Sequence, residues 1–456
     1  MESPAVSVII SVYNGEKYLK ECLESVMAQT LQSIEIICVD DASTDSTPQI
    51  LKAYQDRVQI ITNEKNYMAG ESRNRGLRAA MGEYVLFLDA DDVFEPDMLE
   101  KSYRKAKICD ADICIFKEDI FTDDARKCNH YSYNEILMKQ LGEKVFFTPA
   151  EIAGTLFNLW NGWAWDKLFR RRFIIDAGIE FPDIQTSEDG FFVHAAMASA
   201  EKITLLNEVM VHHRTGEAGS LSNTRDRAWE SCLTYLRKLR EYLNNRGLFS
   251  IFERSYINWS TSFLYWNYQT LGEVSRGNLT GKMRQYLLAD LLIEQYEPAF
   301  FYDAFSAWFV DCIIKKEESG IPLTENERYQ ITYQQNEAKL EFLHKYILQR
   351  DYKAALWGAG VRGQAFAKVY GTVWSELREA YDIDPAKQGQ DICFGLTIRD
   401  WDTSRPDKAD LILLLNSAHL LSVYRYLQGE DVLLFDMNTY LTLPYDIDEC
   451  ILSCRQ

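Results

Sequence analysis

Basic residues are in deficit. The chain carries 49 lysines and arginines against 68 aspartates and glutamates, a formal charge of −19 over 456 residues. Such a balance excludes nonspecific nucleic-acid binding and a polybasic membrane patch. No apolar run approaches bilayer-spanning length, and no charged–apolar–small pattern marks a secretion signal. Work at a membrane is therefore expected to be peripheral or through a partner. The ten cysteines form no CxxC pair and no Cys/His cluster of zinc spacing. Cys22, Cys38, Cys109 and Cys114 sit in apolar patterns as buried thiols, so a reducing cytoplasm, or its membrane face, is the expected location. Repeats of solenoid period are also missing.

What is present is an ordinary globular composition, 47% hydrophobic and 26% charged, long enough for two to four domains. The first part alternates strand and helix patterns. Val6–Val12, Ile34–Val39, Val58–Thr62 and Tyr84–Leu88 are apolar strands. Helices are expected over Glu16–Gln29, from Ser43 or Thr44 to about Tyr54, and over Gly70–Met81. This series implies a doubly wound, mostly parallel α/β sheet with right-handed crossovers. A helix from Pro96 to about Lys107 and a short strand at Ile113–Phe116 come next. Asp119–Glu143 reads as polar and irregular, Thr148–Asn158, Lys167–Ala177 and Phe191–Ala200 as helices. Ile203–Leu206 and Val209–His213 read as two closing strands, and Thr215–Thr224 as a loop. Residues 225–350 are helical and rich in aromatics, mostly core by their spacing. Residues 351–445 form a small Rossmann-like α/β domain, 446–456 a tail, and 1–224 the first domain.

The apolar run Tyr84–Leu88 ends in Asp89-Ala-Asp91-Asp92. Two acids one residue apart at a strand end share a side and repel, and a hard divalent ion, Mn²⁺ or Mg²⁺, relieves that repulsion while holding a phosphate. Asp-x-Asp also occurs at Asp110/Asp112, Asp382/Asp384, Asp400/Asp402 and Asp446/Asp448, so context must select the first. In a parallel sheet the C-terminal strand ends converge. Tyr13-Asn14, Asp40-Asp41 and Asp89-Ala-Asp91 would meet there, with Arg73 on the intervening helix able to pair with phosphate oxygens. Ser187-Glu-Asp-Gly190 is open to two readings. Ser187 can cap a helix whose dipole two acids complement, or an acid there can serve as a base.

Residues 5 to about 116 resemble glycosyltransferase family 2, of GT-A fold. The resemblance rests on Val6-Ser-Val-Ile-Ile-Ser-Val-Tyr-Asn14, Val39-Asp-Asp-Ala-Ser-Thr-Asp-Ser-Thr47, Asn66-Tyr-Met-Ala-Gly-Glu-Ser-Arg-Asn74 with Gly76, and Phe87-Leu-Asp-Ala-Asp-Asp92, in that order. It implies an inverting, metal-dependent transfer from a nucleotide-diphosphate sugar, UDP-sugar above all, to a hydroxyl of a glycan or lipid-linked acceptor. It implies that Val12, Tyr13, Asp41, Arg73 and Asp89 hold the donor, and that Asp91 with Asp89 faces metal and diphosphate, with Asp92 left as a turn acid. It further implies that Asp189 is the base with Glu188 in support. Trp165-Asp-Lys-Leu-Phe-Arg170 and His213-Arg214 with Gly219-Ser220 resemble flanking family segments. From them Trp163 or Trp165 could stack on an acceptor sugar or pack in the core, Arg214 could cover the diphosphate, and His213 could reach the metal. Glu71 and Ser72 depart from the small apolar residues usual in the third motif.

Gly358-x-Gly360-x-x-Gly363 follows a strand and opens a helix, with Asp382 or Asp384 at the distance of a ribose contact. The stretch from Tyr381, with Gly389 and Phe394-Gly395, resembles small Rossmann-like domains of sugar-modifying enzymes, for ligand binding, acceptor binding or homo-oligomerisation. Two other functions compete with glycosyl transfer. A nucleotidyltransferase would carry a Gly- and Lys/Arg-rich loop after the first strand, where Tyr13-Asn-Gly-Glu-Lys17 stands instead. A non-catalytic nucleotide-sugar scaffold would not keep all four acids Asp89, Asp91, Glu188 and Asp189.

Overall fold

The computed structural model describes residues 3–122, 125–131, 141, 144–215, 225–358, 360–370, 373–374, 377, 379–382, 387–389, 396–399, 401, 409–416 and 420–454. The described residues divide between Tyr256 and Ile257 into two compact units.

In the first unit β1 (Val6–Val12), α1 (Leu19–Met27), β2 (Ile34–Asp40), α2 (Thr47–Ala53), β3 (Gln59–Thr62), α3 (Met68–Ala79) and β4 (Tyr84–Asp89) alternate as the sequence implies. Their strands are parallel in the order β3-β2-β1-β4. β1 is central, with Val6, Val8, Ile9 and Ile10 fully buried. A strand covered on both faces needs an unbroken apolar run, which is what this one has. Each such side chain contributes roughly 1.5–3 kcal/mol on burial. α1 closes one face with Leu19, Cys22, Leu23 and Val26. On the other face α3 seats tightly on β1. A Cβ at Gly76 would come 2.3 Å from Cγ2 of Ile9. Glycine is thus required for α3 to lie this close to the sheet.

Past β4 the sheet becomes mixed. β5 (Val93–Phe94), α4 (Met98–Cys109), β6 (Ile113–Thr122), β7 (Ala125–Tyr131), β8 (Lys167–Arg170), α5 (Arg171–Asp176), α6 (Glu188–Ser199) and β9 (Ile203–Arg214) follow. The strand order continues β4-β8-β6-β9-β5, with β7 paired to β6. Four expectations are corrected here. Lys167–Arg170 is a strand, because it pairs antiparallel with both β4 and β6, and pairing outweighs a helical spacing. The segment after Pro149 is a short 3₁₀ helix, Pro149–Ile152, followed by turns. Asp119 does not begin an irregular stretch, since β6 runs on to Thr122 and β7 follows, and residues 132–140 and 142–143 lie outside the described residues. The two expected closing strands are one. β9 pairs parallel with β6 throughout, and the register shift after Phe116–Leu206 absorbs polar Asn207-Glu208 as a bulge. The loop expected to Thr224 lies, beyond Thr215, outside the described residues. α7 (Ser231–Asn245) buries Tyr235, Leu236, Leu239 and Leu243, and α8 (Phe249–Thr270) follows.

In the second unit α9 (Glu273–Gln285), α10 (Ala304–Lys315), α11 (Glu325–Gln335) and α12 (Glu337–Gln349) precede a second sheet. That sheet is built from β10 (Ala354–Trp357), α13 (Val361–Tyr370), β11 (Glu379–Tyr381), β12 (Thr397–Arg399), β13 (Leu411–Leu414), α14 (Leu420–Tyr426), β14 (Leu433–Asp436), α15 (Met437–Thr442) and β15 (Ile451–Ser453). Its order is β12-β11-β10-β13-β14-β15, parallel except for β15. This is the Rossmann order, with the reversal between β10 and β13. Gly358 has φ +100, and a Cβ at Gly363 would sit 2.2 Å from the Gly358 carbonyl, so the turn into α13 needs both glycines. Asp384 and Phe394-Gly395 lie outside the described residues. Among the described residues no helix is long and apolar enough to cross a membrane.

Candidate active site

The parallel register aligns the strand ends. Ser11 of β1 pairs with Val39 of β2 and Asp89 of β4, and Val12 pairs with Asp40. Val12 is buried, Tyr13 is exposed, and Asn14 has φ 52, which turns the chain off the sheet edge. Asp41 is buried beside this turn, its N–H donating to the Val12 carbonyl at 2.9 Å. Its Oδ1 accepts from Asn63 Nδ2 at 2.7 Å and from the Tyr67 N–H at 2.8 Å. One carboxylate oxygen therefore fixes the loop that leads into α3.

Arg73, on the buried face of α3, bridges two acids. Its Nη2 donates to Asp89 Oδ1 and its Nη1 to Glu188 Oε1, both at 2.8 Å. The guanidinium thus ties the end of β4 to the start of α6, across 115 residues of chain between Arg73 and Glu188. Truncating a partner of a buried pair of this kind leaves a charge uncompensated and costs about 3–5 kcal/mol.

The first turn of α6 is built by close approach. Ser187 holds the N-cap position at φ 68, a left-handed conformation uncommon for a side chain of this type, and makes no capping hydrogen bond. A Cβ at Gly162 would lie 2.8 Å from the Gly190 Cα, and one at Gly190 would lie 2.9 Å from the Tyr235 hydroxyl. These two glycines let the segment before Trp163 and the ring of Tyr235 press on the turn that carries Asp189. Asp189 is half-buried. Burial first, then the neighbouring Glu188 charge, raises its carboxyl to about 7, against the opposing pull of Arg73.

The acids after β4 fall into distinct settings. Asp89 is half-buried and paired with Arg73. Asp91 is lifted to about 7, by burial and then by the charges of Asp92 and Asp89. Asp92 is fully buried, accepting from His213 Nδ1 at 3.0 Å and from the Arg214 N–H at 2.9 Å. It is therefore no mere turn acid, because it pins β9 to the end of β4. Burial disfavours a charged His213, but the hydrogen bond and charge of Asp92 prevail and push it up to about 9. His213 thus gives its Nδ1 to Asp92, the carboxylate–histidine contact that orients an imidazole and leaves Nε2 as the nitrogen that would exchange its proton for a cation. Arg214 is buried, its Nε donating to the Asp91 carbonyl at 2.9 Å and its Nη2 to Glu21 Oε2 at 2.7 Å, between the rings of Tyr18 and Phe121. Trp165 is buried, stacked on Trp163 at 4.7 Å and on His213 at 4.9 Å, whereas Trp163 is half-buried.

Among the described residues no three His, Cys, Asp or Glu side chains are grouped to hold an ion unaided. The pair Asp89 and Asp91 nevertheless suits Mg²⁺ or Mn²⁺ held by one or two carboxylates and completed by substrate phosphates. Burial lifts Asp91 most, and the repulsion from Asp92 and Asp89 that adds to it is what such a cation would relieve.

The other Asp-x-Asp pairs have structural work where they are described. Asp110 pairs with Arg170 at 2.7 Å, and Asp112 accepts from the Glu201 N–H at 2.8 Å. Asp446 accepts from the Glu449 N–H, Asp448 from the Tyr346 hydroxyl, and Asp382 from Lys387. Asp384, Asp400 and Asp402 lie outside the described residues.

Two features escaped sequence reasoning. Lys167, fully buried, donates from Nζ to the Asn161 and Trp163 carbonyls at 3.0 and 2.9 Å and to Asp166 at 2.5 Å, so it clamps the tryptophan loop. An adjacent acid and base set inside an otherwise apolar stretch, Trp165-Asp-Lys-Leu-Phe169, was the available signal. Tyr235 reaches the site from α7 and bonds His194 Nδ1 at 2.6 Å, and nothing in the helical pattern distinguishes it from other core aromatics.

Comparison with known proteins agrees with this geometry. The family model described as "Glycosyl transferase family 2" matches residues 7–172. EpsH of Bacillus subtilis (strain 168) is 31% identical over 282 residues, spanning 58% of this chain and 79% of its own. "Glycosyltransferase GlyG" of Streptococcus pneumoniae serotype 4 is 30% identical over 244 residues, spanning 50% of this chain and 76% of its own. The crystal structure of S. aureus TarS 1–349 in complex with UDP-GlcNAc superposes with a TM-score of 0.53 at 21% identity, covering 69% of this chain and 92% of that one. That likeness shows the GT-A fold. With strand-end acids, the Arg73 bridge and relatives matched over most of their length, the chain is a glycosyltransferase and belongs to glycosyl transferase family 2.

Proposed function

We propose that the protein is an inverting, metal-dependent transferase that moves a sugar from a UDP-sugar to a hydroxyl of a growing glycan. The observation that carries this reading is the Arg73 bridge. It sets Asp89, at the strand edge where a nucleotide would lie, in fixed relation to Glu188 and Asp189. A donor laid along Val12, Tyr13, Asp41 and Asp89 would present its sugar toward α6. Asp189 then takes the proton from the acceptor hydroxyl as it attacks, while Glu188, held by Arg73, keeps the turn in place. A base raised to about 7 is matched to neutral pH. Half-buried Trp163, rather than buried Trp165, offers a ring face to an acceptor sugar. Asp89 and Asp91 would hold the cation, which when bound supplies Lewis-acid stabilisation to the departing nucleoside diphosphate.

Support for the donor class and for a polymer acceptor comes from TarS, named a poly(ribitol-phosphate) beta-N-acetylglucosaminyltransferase in S. aureus. A thermal-shift panel of nucleoside diphosphates with and without Mn²⁺ tests the reading. UDP with Mn²⁺ should stabilise the chain most, by about 2.7 kcal/mol at a hundredfold excess over Kd. Absence of metal-dependent stabilisation by every nucleoside diphosphate would overturn it.

A further inference from the structure

The second unit contains a cavity of about 270 Å³ that glycosyl transfer leaves unexplained. It lies at the C-terminal ends of the parallel strands, lined by Leu415 just after β13 and by Met437 and Asn438 just after β14. Arg362, in the first turn of α13 after β10, completes that edge. The position is the point where the strand order reverses, the crevice in which open α/β sheets take ligands.

Its chemistry is anion-seeking. The charged lining residues are Arg328, Arg362 and Asp303, an excess of positive charge in a chain whose total is −19. Asp303 accepts from the N–H and Oγ of Ser306 at 2.8 Å each, and its charge is shared between Lys339 and Arg328, which leaves the lining net positive. Arg362 is oriented by the Leu415 carbonyl at 3.1 Å and lies over the Tyr329 ring at 4.6 Å. Arg328, from α11, lies over the Tyr265 ring at 5.0 Å and has no carboxylate in ion-pair reach among the described residues. Two guanidinium groups from separate helices, held on aromatic faces and pointed to one cavity, make a fork for a phosphate. The volume falls below the roughly 300–1,000 Å³ of drug-sized sites, too small for a dinucleotide. Asp382, at the distance where a dinucleotide site keeps its ribose acid, is bound by Lys387 at 3.0 Å.

We propose that this cavity is a second binding site, separate from the glycosyltransferase site, for a small phosphate ester of sugar-phosphate size. The phosphate sits between Arg328 and Arg362, and the hydroxyl-bearing body faces Thr332, Asn438 and Thr442.

Titration calorimetry on the full chain tests it with glucose 1-phosphate, inorganic phosphate and glucose as probes. Glucose 1-phosphate should bind, free phosphate more weakly, and glucose not at all. Arg328→Gln should weaken the ester about tenfold or more, as expected for the loss of a charged hydrogen-bonding partner. Ser262→Asp places a carboxylate at an exposed lining position, where folding is not at stake, and should weaken it as well. Asp91→Asn, in the other site, should change nothing. No binding of glucose 1-phosphate up to about 10 mM, well beyond ordinary ligand affinities, would sink the proposal. So would affinity unchanged in both Arg328→Gln and Ser262→Asp, or free phosphate binding as tightly as the ester.

Discussion

Asp189, the proposed base, is set by its neighbours. An exposed aspartate is a weak base, but this one sits half-buried against Glu188 with its carboxyl raised to about 7. The log of kcat/KM should therefore rise with unit slope as pH increases and level off above about pH 7. Asp189→Asn should lower kcat by about 10²–10⁴, the usual worth of a positioned base, and leave UDP affinity within about twofold. Normal turnover in that variant would remove Asp189 from the mechanism. His194 makes an opposite kind of statement. It is buried against the Tyr235 hydroxyl, and burial, with Lys167 adding to it, holds its imidazole down at about 3. The unfolded chain takes up this proton below about pH 6.5 and the folded chain does not, so stability drops as pH falls from there toward 3. Between pH 7.5 and 5.5 the wild type should lose about 1 kcal/mol more than His194→Gln, read from urea midpoints at the two pH values.

Helix α3 matters because it delivers Arg73 to the strand edge, and its seating depends on one glycine. Gly76→Ala forces a methyl to 2.3 Å from Ile9 Cγ2, so α3 must ride up from the sheet. The expected cost is roughly 1–3 kcal/mol, with a further loss of turnover as Arg73 leaves Asp89 or Glu188. Adding Ile9→Ala should make the double variant less impaired than the separate effects predict, and strict additivity would show that the contact does not set the helix position. At this scale legibility was uneven. The four parallel strands and three helices of residues 6–89 could be read directly, because both faces of that sheet are covered and the apolar runs are unbroken. Lys167–Arg170 could not, since its strand character comes from pairing with β4 and β6, both remote in sequence. The single strand β9 was hidden for a similar reason. Its polar Asn207-Glu208 interrupts the pattern, and only the partner strand shows the interruption to be a bulge.

At the scale of the whole molecule, the thiols among the described residues tell one story. Cys22, Cys38, Cys109, Cys114, Cys232, Cys312, Cys450 and Cys454 are all free and buried. Burial raises Cys38 and Cys232 to about 12, far from the thiolate that reacts. A disulfide-exchange reagent should leave these eight unmodified in the native chain and reach them together on unfolding in urea, as mass spectrometry of the labelled peptides would show. Rapid native labelling at Cys38 or Cys232 would contradict the packing. The sequence by itself determined the family, the parallel α/β core and the residues gathered at its edge. Those depend on apolar runs, strand-end acids and glycines close in sequence, and local chemistry carries that much. Only the tertiary structure decided how the gathered residues divide their work. It gave Asp92 to His213, Arg214 to Glu21, Arg73 to both Asp89 and Glu188, and the second unit's two arginines to a common cavity. Ion pairing and burial depend on which distant side chains arrive at the same place, and that information exists only once the chain has folded.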